Sequence, residues 1–265
     1  MALIPSHIRA LILDMDGVLW KSDSPIGNLS EIFGCINERK LHVVFATNNG
    51  TRTPHQYVKL MCNFGLKVEA WQVVTSSLVL AHLLSQEFPN GGQVFAIGEE
   101  GLIQALREKG FVTLFTKEAG KAQAVAMGID RTVNFEKISE ATLLVRRGIP
   151  FYATNPDKTF PTPRGEIPGA GSWISVITMA TGITPEYAGK PSPALIELAC
   201  RRLGVAKEEI LVVGDRLETD IAAGQAAGCP VALVLSGVSS RAEAEAWKPS
   251  VNIIVDDLET LITGH

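Results

Sequence analysis

Five short runs dominated by apolar residues, each too brief for a helix, fix what this chain can become. They are Ala10-Leu11-Ile12-Leu13, His42-Val43-Val44-Phe45-Ala46, Ile210-Leu211-Val212-Val213, Val231-Ala232-Leu233-Val234 and Val251-Asn252-Ile253-Ile254-Val255. Continuous apolar runs of this length suit strands buried on both faces. Helical patterns such as Pro193–Leu203 and Thr219–Ala227 lie between them. The alternation predicts an α/β protein whose open, mostly parallel sheet carries helices on both faces. Three of the runs stop at polar, glycine-containing turns: Asp14-Met15-Asp16-Gly17, Thr47-Asn48-Asn49-Gly50 and Gly214-Asp215. Ligands of such sheets bind outside the carboxyl ends of the strands, so those turns are where chemistry is sought.

The middle of the chain has βα units of its own. Gln93–Ile97, Ala122–Met127 and Pro150–Thr154 read as strands, and Glu99–Lys109 and Ser139–Arg147 as helices. From Pro156 to Gly171, four prolines and three glycines predict a loop or hairpin. Two sets of βα units in 265 residues suggest an insertion. The expected division is a core at 1–80 and 184–265, with a second α/β domain at 81–183.

Composition narrows the partners. Hydrophobic residues make up 46% and charged residues 20%, enough apolar side chain to offset the entropy of folding. The net charge of −4 and the absence of a basic block argue against nucleic acid as a partner. No apolar run approaches the roughly 18 residues of a membrane span. The first 17 residues lack the order of parts of a signal peptide. Cys35, Cys62, Cys200 and Cys229 form no CxxC pair and read as reduced core thiols of a cytoplasmic protein.

Each turn has a bland reading beside its chemical one. Asp14 and Asp16, spaced i and i+2, project from one side of an extended backbone, and Gly17 permits a sharp turn. Two acids at a strand end repel one another, yet a solvated acidic turn would look the same. Thr47, Asn48 and Asn49 offer a hydroxyl and backbone N–H groups for phosphate oxygens, or merely a helix cap. Lys190, in Gly189-Lys190-Pro191-Ser192-Pro193, precedes a helix start and taken alone is an ordinary surface lysine. Asp215 ends a strand and Asp220 opens a helix that Thr219 would cap. All four features falling on strand-to-helix turns of one sheet favours the chemical reading.

In that order Asp14-x-Asp16-Gly17, Thr47, Lys190 and Gly214-Asp215-x4-Asp220 resemble the four motifs of the haloacid dehalogenase-like superfamily. Thr154-Asn155-Pro156-Asp157, Pro168-Gly169-Ala170-Gly171 and Gly214-Asp215-Arg216-Leu217 narrow the resemblance to the NagD/4-nitrophenylphosphatase type, with a Rossmann-like core and a large α/β cap between the second and third motifs. The resemblance implies a phosphomonoester hydrolase acting on small phosphorylated metabolites. Asp14 is then the nucleophile of an aspartyl-phosphate mechanism and Asp16 the general acid/base. Thr47 and Lys190 complete the catalytic set. Gly17, Asn48, Asn49, Asn155 and Asp157 are expected with Thr47 and Lys190 around the phosphate and substrate. Mg2+ is expected on Asp14, Asp215 and the backbone carbonyl of Asp16, with Asp220 behind, orienting water or Lys190. The branch also implies dimers formed through the cap.

Other readings stay open. A dehalogenase would keep Asp14 without needing Asp16 or a metal. A phosphotransferase or phosphomutase would keep both acids, but its cap would follow the first motif, where only about 30 residues are available here. A phosphometabolite-binding module could retain the scaffold without catalysis. Gly182-x6-Gly189-Lys190 is too long for a P-loop and has Pro191 where Ser or Thr belongs. The five histidines lack zinc-site spacing. Trp20 reads as a gap filler that could pack on substrate, and Arg164 as a solvent-facing residue that could read a second anion. Nothing in the sequence selects one phosphomonoester.

Overall fold

The computed structural model describes residues 3–22, 24–162 and 164–264. They group into two compact units. One comprises Met1–Thr47, Pro54–Val74 and Lys190–His265; the other comprises Asn48–Thr53 and Thr75–Gly189. Residues 75–80 and 184–189, expected with the core, thus group with the inserted unit, as does the loop after Thr47.

In chain order the first strands are β1 (Ala10–Leu13), β2 (Trp20–Lys21), β3 (Ser24–Pro25), β4 (His42–Thr47) and β5 (Val73–Thr75). Next come β6 (Gly92–Ile97), β7 (Phe111–Leu114), β8 (Ala124–Met127), β9 (Phe151–Ala153), β10 (Thr159–Thr162), β11 (Gly165–Pro168) and β12 (Glu186–Tyr187). The last are β13 (Ile210–Gly214), β14 (Val231–Val234) and β15 (Ile253–Val255).

The first unit is built on a six-stranded sheet of order β15-β14-β13-β1-β4-β5. β1 runs parallel to both neighbours, Leu11 opposite Leu211 on one side and Val43 on the other. Its four residues are buried because helices cover both faces. Leu11, Leu13, Val43, Phe45, Leu211 and Val213 pack with the apolar stripes of the helices Leu29–Glu38 and Pro54–Asn63. The helix Ala194–Leu203 packs against β1 and β4.

The inserted unit carries a five-stranded sheet of order β12-β9-β8-β6-β7, parallel throughout. Its core joins Phe95, Ile97, Val125, Met127 and Phe151 to the helices Phe135–Arg146 and Ala170–Thr181. The proline-rich segment is the antiparallel hairpin β10–β11, but its last two residues already belong to the second of these helices. The other helix starts four residues before the expected Ser139. Asn134 caps it, accepting from the Lys137 amide at 2.9 Å, while Phe135 is exposed and hides the start from an apolar pattern. Among the described residues no helix is long and apolar enough to cross a membrane.

Candidate active site

β1 delivers Asp14 at its carboxyl end, where the chain leaves the sheet beside β13 and β4. The turn that follows is tight: Gly17 donates its amide to the Trp20 carbonyl at 2.8 Å and has φ +83°. That conformation favours glycine, and a Cβ there would lie 2.5 Å from Asp215 Oδ2. Trp20, buried in the core beside Phe64, donates Nε1–H to Asp16 Oδ1 at 3.0 Å. It therefore fills a gap, as expected, and also fixes the Asp16 carboxylate.

β13 ends in Gly214 and sets Asp215 beside Asp14. The segment after β14 closes over it. Val238 donates its amide to Asp215 Oδ2 at 2.8 Å, and Ser236 Oγ donates to the Gly17 carbonyl at 2.7 Å. A Cβ on Gly237 would fall 1.9 Å from the same Asp215 oxygen, so only glycine allows this approach. These three residues were absent from the sequence reading. The rule that strand ends build the site points to them, because they follow the end of β14.

The helix expected from Thr219 opens with a wide helical turn, Leu217–Ile221, which holds Thr219 and Asp220, and becomes regular only at Ala222. Thr219 therefore does not cap it. The turn brings Asp220 back so that Oδ2 accepts from the Arg216 amide at 3.1 Å and Oδ1 meets Lys190 Nζ at 2.5 Å. Lys190 Nζ also donates to Asp14 Oδ1 at 2.5 Å and to the Ala46 carbonyl, just before Thr47, at 3.0 Å. One ammonium thus links residues from three separate stretches of sequence. Lys190 follows β12, a strand of the five-stranded sheet, so the four motifs do not all sit on turns of one sheet. Ala188 and Gly189 are hydrogen-bonded to Ala153 and Thr154, which keeps the approach to Lys190 on that other sheet.

Asp14, Asp215 and Asp220 each offer a carboxylate oxygen, all within 4.8 Å of one another. Set against one lysine, three ionised acids leave two surplus negative charges in a buried place. Burial, reinforced by Asp220, Asp215 and Asp16, pushes Asp14 well above the usual carboxylate range despite Lys190. In the metal-free protein burial thus outweighs the lysine. Burial and the charge of Asp220 raise Asp215 to about 7, against the Val238 amide and Lys190. Burial works against the Lys190 charge, yet Asp14 and Asp220 hold its pKa above the ordinary lysine value. Hard oxygen donors in negative excess fit a divalent cation such as Mg2+. Asp220 joins Asp14 and Asp215 in this grouping of side-chain oxygens, with one of its oxygens held by Lys190.

In the inserted unit, Asn155 and Asp157 gather around the loop that begins at Asn48. The Asn48 side-chain amide donates to both Asp157 oxygens at 3.2 and 3.1 Å. The Asn48 backbone carbonyl accepts from Asn155 Nδ2 at 2.7 Å and from Ser76 Oγ at 2.6 Å. Asn49 Oδ1 accepts from Thr51, closing the turn. Arg164 is exposed in the β10–β11 turn.

Two family models match the chain: a haloacid dehalogenase-like hydrolase over residues 11–112 and a related hydrolase-like model over residues 187–261. The acid sugar phosphatase of Staphylococcus epidermidis is 36% identical over 234 residues, covering 88% of this chain and 89% of that one. The p-nitrophenyl phosphatase from Archaeoglobus fulgidus superposes with a TM-score of 0.89 at 33% identity, over 97% of this chain and 99% of that one. The glycerol phosphate phosphatase of Mycobacterium tuberculosis, solved with magnesium, gives 0.89 at 34% identity, over 96% and 76%.

Proposed function

The chain belongs to the haloacid dehalogenase-like hydrolases of the NagD/4-nitrophenylphosphatase type, and from that premise we propose that it hydrolyses phosphomonoesters of small phosphorylated metabolites by way of an aspartyl-phosphate on Asp14. The single observation that carries this reading is the Lys190 ammonium held at 2.5 Å from both Asp14 and Asp220 within a buried group of three carboxylates. A carboxylate at a strand end, backed by a lysine and further acids, has what phosphoryl transfer needs: a nucleophile, a charge clamp and oxygen ligands for a cation.

Asp14 attacks phosphorus and the bond to the ester oxygen breaks. Asp16, oriented by Trp20, gives its proton to the departing alkoxide. It then takes a proton from the water that attacks phosphorus, and the bond to Asp14 breaks as inorganic phosphate leaves. Lys190, the Thr47 hydroxyl and the Asn48 and Asn49 N–H groups bind the phosphoryl oxygens, and Gly17 leaves room for them. Asp14 and Asp215, with the Asp16 carbonyl, would hold a divalent cation such as Mg2+, which would offset the acid repulsion and neutralise charge on the transferring group. Asp220 keeps Lys190 in place rather than serving mainly as a ligand.

The inserted unit, taken as the cap, reads the leaving group, and Asn155 and Asp157 serve the site by holding the Asn48 loop. Pairing of two copies through the cap is part of the same reading. A cytoplasmic location agrees with four free cysteines. The relatives' names span acid sugar, nitrophenyl and glycerol phosphates, which supports the ester class rather than one substrate. The test is phosphate release from a panel of phosphomonoesters with Mg2+ and with a chelator. Release that requires the metal and vanishes in Asp14→Asn supports the reading. Release undiminished in that variant, or none from any ester, overturns it in favour of another nucleophile or a binding module.

A further inference from the structure

Two of the four cysteines are in contact. Cys200 lies in the helix Ala194–Leu203, and Cys229 lies between the helix Ala222–Ala227 and β14. Their sulfurs are 3.7 Å apart although 29 positions separate them in sequence. Both residues belong to the first unit and are nearly buried, at 7% and 6% exposure. Cys62 is exposed and Cys35 half-buried, and neither is paired with a second thiol.

We propose that Cys200 and Cys229 form a redox-reactive dithiol that closes to a reversible disulfide in exchange with a small disulfide such as oxidised glutathione. A disulfide needs its sulfurs about 2.05 Å apart, so one sulfur must move by under 2 Å. Cys229 can supply that movement. It sits in a short link between Gly228 and Pro230, outside any helix or strand, tied by one amide bond to the Gly224 carbonyl. The two thiols are also unequal. The hydrogen bond with Cys229 holds the Cys200 thiol below the ordinary cysteine value, against burial and with help from Lys207. The same contact and burial push Cys229 up. With Cys200 fixed in its helix and Cys229 on the short link, Cys200 is assigned as the attacking sulfur and Cys229 as the resolving one.

The exchange balances in two displacements. The Cys200 thiolate attacks one sulfur of the glutathione disulfide and expels a glutathione thiolate, leaving a mixed disulfide. The Cys229 thiol, losing its proton to water, attacks Cys200 Sγ and expels the second glutathione. Two protein thiols are oxidised and one glutathione disulfide is reduced to two thiols. The closed loop contains Asp215 and Asp220, so the bond ties the segment that supplies two of the three clustered acids.

Folded, fully reduced protein is incubated with oxidised glutathione, quenched with acid, unfolded and mapped by mass spectrometry. The exposed Cys62 reports that the reagent is active. The expected product is a dipeptide joining the Cys200 and Cys229 segments, lighter by two hydrogens than its parts and released by dithiothreitol. Both thiols remaining free while Cys62 is modified overturns the proposal, as does glutathione remaining stably on either one. Cys229→Ser, checked for native folding by circular dichroism, is expected to trap glutathione on Cys200. Failure to trap it while Cys62 reacts overturns the assignment of Cys200 as the attacking thiol.

Discussion

Two aspartate–lysine pairs, one in each unit, have nearly the same contact distance and opposite physics. In the inserted unit Lys137 Nζ lies 2.6 Å from Asp130 Oδ2, while the Thr132 amide and hydroxyl donate to Oδ1 at 2.7 and 2.6 Å. Burial would raise Asp130, but these donors outweigh it and hold the carboxyl below its ordinary value. In the first unit Lys190 lies 2.5 Å from Asp14, yet Asp14 is pushed up, because burial outweighs an ammonium shared with Asp220 and the neighbouring acids add their repulsion. Distance alone does not separate a structural ion pair from a reactive one. Burial and the ratio of acids to donors do.

The sharpest way to break the comparison is to neutralise each acid. Asp14→Asn is expected to lower phosphate release by about 10⁴-fold or more, since no other group here replaces the nucleophile. Asp130→Asn should leave kcat/KM within about twofold. Equal losses in a steady-state assay would show that the charge ratio means nothing.

Removing the two lysines comes next. Lys190→Met should reduce kcat about 10³-fold and destabilise the metal-free protein by about 3–5 kcal/mol at pH 8, because it strands buried acids. Lys137 is 29% exposed, and its loss is expected to remove only about 1–2 kcal/mol with activity intact, the remainder being screened by solvent. Urea titrations of the two variants decide this.

The pH dependences should run in opposite directions. Asp215 is raised from 3.8 to about 7 when folded, so the native state holds the extra proton between those values. Its contribution to metal-free stability therefore falls as pH rises from about 4 to 7 and stays low above that. Asp130 is lowered from 3.8, so its contribution is present above that value and lost as pH falls through its folded pKa. Thermal melts should show Asp215→Asn flattening the neutral limb and Asp130→Asn flattening the acid limb. Mg2+ should raise the melting temperature more at pH 8 than at pH 5, because protons compete for the same oxygens.

The smallest effect tests orientation. Trp20→Phe keeps most of the packing but removes the donor to Asp16. It is expected to lower kcat several-fold for esters with poor leaving groups, by about 1 kcal/mol in barrier, with KM nearly unchanged. An equal loss for a nitrophenyl ester would place the effect elsewhere than on the proton.

The strands at the centre of the core were legible because burial on both faces demands continuous apolar runs, and β1, β4, β13 and β14 have little else in them. Asp14, Thr47 and Asp215 were legible for the complementary reason, as polar residues standing where such runs stop. Other elements escaped a pattern reading. The helix Ser76–Glu87 is apolar around much of its circumference, and Ala170–Thr181 exposes Trp173, Val176 and Met179 while burying Ile174 and Ile177, so neither shows one clean stripe. β7 lies at a sheet edge with Val112 exposed, too short to announce itself.

Residue types and local spacing were thus enough to determine the α/β class, the inserted second set of βα units and the positions where acids interrupt the strands. Only the tertiary structure decided that Lys190 reaches across 176 positions to Asp14, that Asp220 meets it from the wide first turn of its helix, and that Asn155 and Asp157 hold the loop at Asn48. The physical reason is range. Periodicity and capping act over a few residues, whereas a buried carboxylate takes its protonation and its partners from whatever the folded chain packs within a few ångströms of it.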